Sequence, residues 1–197
     1  MNLVLSSLRL PIRIRPDAPM SDCDLMRFSR ENRPLRMERE PNGEILIMTP
    51  TGNRTGSINH RIALMFGLWV DQDGSGVAFD SSTGFKLPNG AVRSPDVAWI
   101  SNDRWNAMTE DEKDGFGVYP DFIIELRSPT DGMLDAQAKM QEWVTNGVAL
   151  GWLIDPQRKI VEIYRPGEAA EIHQNPTSVQ GTGPVRGFEL VMGRVWG

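Results

Sequence analysis

Residues 120–155, "PDFIIELRSPTDGMLDAQAKMQEWVTNGVALGWLID", read as strand, helix, strand, and that order decides the fold. Phe122, Ile123, Ile124 and Leu126 form the short apolar run of a buried strand. The spacing then becomes that of an amphipathic helix over about 131–146, with Asp131 and Asp135 suited to its start and Gly147 to its stop. "LGWLID" is a second strand, "PQRK" a turn, and "IVEIYRPG" a hairpin partner. One residue interrupts the apolar run. Glu125 sits inside it, with Arg127 two positions later on the same side of the pleat. An ionised carboxylate in a strand core is costly unless something compensates it.

Upstream, "SDCDLMRFSREN" (21–32) predicts a short helix capped by Ser21 or Asp22. "LRMEREPNGEILIM" (35–48) has the form of a hairpin around Pro41-Asn42-Gly43. Ile58, Ile62, Met65, Phe66, Trp69 and Val70 fall at helical spacing within 55–71, and "DQDGSG" ends that helix. Residues 77–100 follow as strands, with a tight turn at Asn89-Gly90. The segment 101–120 is polar and loop-like, with room for one helical turn. Residues 1–17 alternate weakly and read as an arm or an edge strand broken by Pro11 and Pro16. The tail from Glu168 is turn-rich with a few short strand-like runs. The expected architecture is one α/β (α+β) domain over 18–197, its helices covering a sheet, preceded by the arm.

Composition bounds the function. The 197 residues, 40% hydrophobic and 24% charged, describe a globular chain with one sizeable core. Nothing approaches the roughly 18 consecutive apolar residues of a membrane span. No basic leader precedes the opening apolar patch, so a cytoplasmic protein is expected. Cys23 is the single cysteine, and His60 and His173 are the two histidines, which disfavours zinc cages. The net charge of −5 disfavours a large DNA-binding face. Residues 1–60, however, carry nine Arg/Lys against seven Asp/Glu. If nucleic acid binds, Arg9, Arg13, Arg15, Arg27, Arg30, Arg33, Arg36 and Arg39 are the candidate contacts; the alternative is a solvated surface.

Three residues can be joined into a site. Asp96 follows Pro95 at a strand start, Glu125 lies in another strand, and Lys139 lies on the next helix. Two carboxylates from neighbouring strands suit a hard divalent cation. Such an ion activates water and stabilises charge on a phosphodiester, and a nearby lysine orients or deprotonates that water. Each residue also has a plainer reading. Pro-Asp is common at strand starts, Glu125 can pair with Arg127 or a cross-strand cation, and Lys139 can belong to a solvated helix face with Asp135 and Glu142.

At these residues the chain resembles the Uma-two family, a branch of the PD-(D/E)XK restriction-endonuclease-like superfamily. The matching stretches are "LRMEREPNGEILIMTPTG", "FDSSTGFKLPNGAVRSPDVAWIS", "PDFIIELRSPTD" and "KMQEWVTNGVALGWLIDPQRKIVEIYRPG", spanning about residue 30 to 167. The resemblance implies a restriction-endonuclease-like core, a central mixed sheet flanked by helices, with an N-terminal antiparallel hairpin extension. It implies a Mg²⁺-dependent phosphodiesterase site at one end of the sheet; the expected function is cleavage of DNA with Mg²⁺, or Mn²⁺ in its place, by a homo-oligomer expected to be a homodimer. Carried over, Asp96 matches the aspartate of the PD motif and Glu125 the acidic residue of (D/E)XK, with the Leu126 carbonyl as a further ligand. Glu38 matches a third acidic member; pairing with a local arginine is its alternative. The chain departs from the pattern at Arg127, which stands where the superfamily has lysine. Arginine stays protonated, so it offers a phosphate contact rather than a base, and the family resemblance supplies the lysine from the helix, as Lys139. His60 receives no role. The competing reading is a catalytically inactive nuclease-fold module that binds nucleic acid or protein. A third is a structural homo-oligomer joined through the N-terminal arm.

Overall fold

The computed structural model describes residues 11–33, 35–48 and 50–196. They form two compact units between which the chain passes several times. The first takes the described residues up to Thr51, with Ser82–Ser94 and Met108–Val118; the second takes Gly52–Ser81, Pro95–Ala107 and the chain from Tyr119 onward.

The first unit is an antiparallel sheet packed on a helix. Its strands are β1 (Ile12–Ile14), β2 (Arg36–Arg39), β3 (Ile45–Met48), β5 (Phe85–Lys86) and β6 (Val92–Arg93), in the spatial order β1-β3-β2-β6-β5. The edge strand expected within 1–17 is β1, paired with β3; residues 1–10 of the expected arm, Arg9 among them, lie outside the described residues. Helix α1 (Asp22–Glu31) starts where Ser21 accepts a hydrogen bond from the Asp24 amide at 3.1 Å. Gly43, at φ 86°, supplies the left-handed turn of the β2–β3 hairpin. Leu25 and Phe28 of α1 close over Ile45, Ile47 and Val92.

The second unit is a six-stranded mixed sheet with helices on both faces. Its strands are β4 (Gly76–Asp80), β7 (Val97–Ser101), β8 (Phe122–Leu126), β9 (Leu150–Asp155), β10 (Ile160–Tyr164) and β11 (Glu171–Gln174), in the order β11-β10-β9-β8-β7-β4. Only β8 and β9 run parallel, because α5 (Met133–Thr145) carries the chain back between them. Helix α2 (Asn53–Asp73) buries Ile62, Phe66 and Val70, one per turn, against Val97, Trp99, Phe122, Ile124 and Trp152. The alternate residues, Ile123 and Glu125, turn to the face covered by α5, whose Met140, Trp143 and Val144 are buried. Gly151 leaves room there: a Cβ would stand 2.6 Å from the methyl at the flexible end of Met140 and would displace it.

Two segments hold more order than their composition suggests. Within 101–120 lie α3 (Asn102–Ala107) and α4 (Glu110–Asp114), the latter in the first unit and begun by a capping box between Thr109 and Glu112. The tail forms a hairpin of β12 (Ser178–Gln180) and β13 (Glu189–Val191), then α6 (Gly193–Trp196). Its Val179, Val185, Phe188, Leu190, Met192 and Val195 belong to the main core. Among the described residues, no helix is long and apolar enough to cross a membrane.

Candidate active site

The candidate residues of the second unit gather where β7 and β8 begin to separate. The antiparallel ladder pairs Val97 with Ile124, so one further step sets Asp96 beside Glu125. The Leu126 amide, past the last paired residue, is taken up by the Asp96 carboxylate at 2.8 Å. The other Asp96 oxygen accepts from Nδ2 of Asn59 on α2 at 2.7 Å. Asp96 is thus held in the plane of the sheet by a main-chain amide and from one face by a helix.

Glu125 is held from the other face. Lys139 and Trp143 lie four residues apart on α5, so their side chains descend on one spot. Lys139 Nζ and Trp143 Nε1 both stand 2.9 Å from Glu125 Oε1. The Lys139 side chain is 25% exposed, well short of a freely solvated helix face. Arg127, the other candidate partner, turns to β9 instead. Its guanidinium donates to Asp155 Oδ2 at 3.0 Å, to Gln157 at 3.2 Å and to the Asp131 carbonyl at 3.1 Å. Asp131 lies before the helix rather than in it, its carboxylate accepting from the Ser128 amide.

A second carboxylate shares this face. Glu125 registers with Leu153 on β9, and Leu153 with Glu162 on β10. Glu162 is 4% exposed. It accepts from Gln137 of α5 at 3.0 and 3.1 Å and from the Tyr164 hydroxyl at 2.5 Å. Burial, and next the bond to Glu162, push the Tyr164 hydroxyl above the ordinary tyrosine range. Sequence reasoning passed over Glu162; its signal was an acidic residue at an inward position of "IVEIY". It also passed over Asn59, next to the discounted His60, which is exposed.

Glu38 belongs to the first unit. Its carboxylate accepts from the Ser94 amide at 3.1 Å and faces Arg93 at 3.4 Å, while Arg93 also meets Glu40 at 2.6 Å. Several arginines of the N-terminal third carry acidic partners there: Arg13 with Glu40, Arg15 with Glu44, Arg27 with Asp24, and Arg39 with Asp22.

Asp96, Glu125 and the Leu126 carbonyl are all oxygen donors, the chemistry that Mg²⁺ and Mn²⁺ take. Among the described residues, no group of three or more His, Cys, Asp or Glu side chains is placed to hold a metal ion. Mg²⁺ suits such a sparse donor set, since it commonly binds through one or two carboxylates and keeps several waters.

Comparison with known families identifies the chain's family. The model of the Uma2 family, described as "Putative restriction endonuclease", matches residues 23–193. The chain belongs to the Uma2 family. It is thereby placed among nuclease-type enzymes that act on nucleic acid. Among solved structures, it is similar to one from Anabaena variabilis titled "a putative nuclease belonging to DUF820". The TM-score is 0.73 at 20% identity, covering 90% of this chain and 98% of that one, which shows a shared fold. No match was found among curated protein sequences.

Proposed function

We propose that this Uma2 chain is a Mg²⁺-dependent endodeoxyribonuclease, with Mn²⁺ as a substitute ion. Asp96, Glu125 and the Leu126 carbonyl would hold the cation. When bound, it would supply positive charge to the phosphodiester transition state and acidify a water. The chain's own residues do the rest. Asp96 and Glu125 are oriented by N–H donors from three elements. Lys139 brings an ammonium to the same point, where it orients the attacking water and offsets negative charge developing on the phosphate. Arg127, clamped by Asp155, is a fixed cation for a neighbouring phosphate. Glu38 is the further acidic member that the resemblance assigns. The reading includes a homodimer in the cytoplasm, and the mass of the purified chain in solution tests the dimer.

The observation that carries this reading is the 2.9 Å approach of Lys139 to Glu125. It brings the helix lysine to the strand carboxylate, although the superfamily's lysine position holds arginine. The test is plasmid DNA incubated with the purified chain and Mg²⁺ or Mn²⁺. Nicking is expected from the wild type and not from Glu125→Ala; equal nicking by both defeats the site. The second reading, a nuclease-fold module that binds DNA or protein without cutting, is favoured by Arg127 and its engagement with Asp155. Salt-sensitive DNA binding without ion-dependent nicking would establish it.

A further inference from the structure

We propose that Asn59 is a positioning residue of this site: by donating its side-chain amide to Asp96, it fixes that carboxylate in the orientation that receives the cation. The inference rests on the reading above and adds a residue from a different element.

Asp96 stands one residue outside the last ladder pair of β7 and β8. Its carboxylate is held there by the Leu126 amide at 2.8 Å and by Asn59 Nδ2 at 2.7 Å. The first donor is main chain and remains whatever the side chains are. The second depends on one residue. Asn59 suits the task because its support does not move: Ile58 and Ile62 on either side of it pack into the main core, and Phe66 is buried two turns on. An amide on so short a side chain has little freedom once its helix is docked.

The orientation of the amide is also decided. A carboxylate only accepts, so Asn59 must present nitrogen to Asp96. That turns its Oδ1 inward, where it is buried and receives no hydrogen bond from the described residues. An unsatisfied buried carbonyl is unfavourable, so the amide is held in this orientation by the charged acceptor at its other end. Carboxylates that hold metals are themselves held in this way, and loss of such a partner typically weakens metal affinity about 10–100-fold.

The experiment titrates Mn²⁺ into the purified full chain and follows heat of binding and the rise in Tm. Wild type, Asp96→Ala, Asn59→Ala and Asn59→Ser are compared. Asn59→Ala is expected to bind Mn²⁺ about 10–100-fold more weakly than wild type, and Asn59→Ser to match it, its shorter side chain falling short of Asp96. Unchanged Mn²⁺ affinity in either Asn59 variant that folds overturns the proposal, even if its Tm without Mn²⁺ has dropped, because that pattern is purely structural. The site reading fails separately. If the wild type does not bind Mn²⁺, or Asp96→Ala binds it as the wild type does, the ion is not held by Asp96, and the positioning role of Asn59 falls with it.

Discussion

Glu38 on β2 and Glu125 on β8 are both carboxylates drawn into a sheet, and they are neutralised by different means. Glu38, its side chain 3% exposed, lies against the buried Arg93 and a main-chain amide. Arg93 is itself shared with Glu40, which also meets the exposed Arg13, so the charges form a network. Glu125 is 13% exposed at a strand end and is met by a lysine and an indole from a helix. The arginine nearest to it in sequence is taken by Asp155. Guanidinium is weakly hydrated and forks onto two acceptors, which suits a permanent strut. Ammonium is a compact point charge on a flexible stem, and a cation or a phosphate can displace it. The contrast separates a carboxylate held by a buried guanidinium from one met by an ammonium that can be displaced.

The strongest way to break the contrast is to exchange the two residues' fates. Glu125→Ala should reduce plasmid nicking below detection and remove the Mn²⁺-induced rise in Tm, whereas Glu38→Ala should leave that rise intact. A loss of the rise in Glu38→Ala would make Glu38 a ligand. Next in size, Lys139→Met should lower the nicking rate by about 10²–10⁴-fold, the span of a positioned acid–base group. Mn²⁺ should still raise its Tm, and a loss of both would assign Lys139 to ion binding instead. Third, Glu38→Ala removes an acceptor from a buried guanidinium that keeps Glu40. Stability should fall by about 2 kcal/mol, or about 4–8 °C in Tm for a chain of this size; an unchanged Tm would show that Glu40 alone suffices.

The smallest effect concerns a surface carboxylate of the first unit. Burial raises the Asp22 value, but hydrogen bonds from Lys86 and Arg39, each 2.7 Å, outweigh it and leave the carboxyl below its ordinary value. A depressed value stabilises the fold above the unfolded-state value, and that stability is lost as pH falls through the folded-state value. Asp22→Asn should therefore be less stable than wild type at neutral pH, by under about 1 kcal/mol for a carboxylate about a third exposed to solvent. The gap should close on acidification below the carboxylate range; a gap constant with pH would show that the ionised form adds nothing.

Much of this architecture is legible in the chain. The run from Phe122 to Leu126 and the helical spacing after it state the strand–helix–strand unit by period alone, whereas joining Glu125 to Lys139 rests on the family resemblance. The hairpin at Pro41-Asn42-Gly43 and the cap at Ser21 are equally local. What is not local is harder to read. Arg127 and Glu125 share a strand face, and only the register of β9, which brings Asp155 alongside, decides that they do not pair. Asn59 gains its meaning from Asp96, 37 residues away. Segment 101–120 was legible after all, since Thr109 and Glu112 spell a capping box, but its polarity outweighed that signal.

The late placement of core residues has a consequence for synthesis. Phe188 stacks on Trp152 and meets Phe66 edge-on, joining the first helix of the second unit to one of its central strands. A released chain that stops at Gln180 would therefore carry α2 and the six-stranded sheet with part of its apolar face uncovered. Without Phe188, Leu190 and Val195 that face stays exposed, and such a truncated chain is expected to aggregate rather than act as a working fragment.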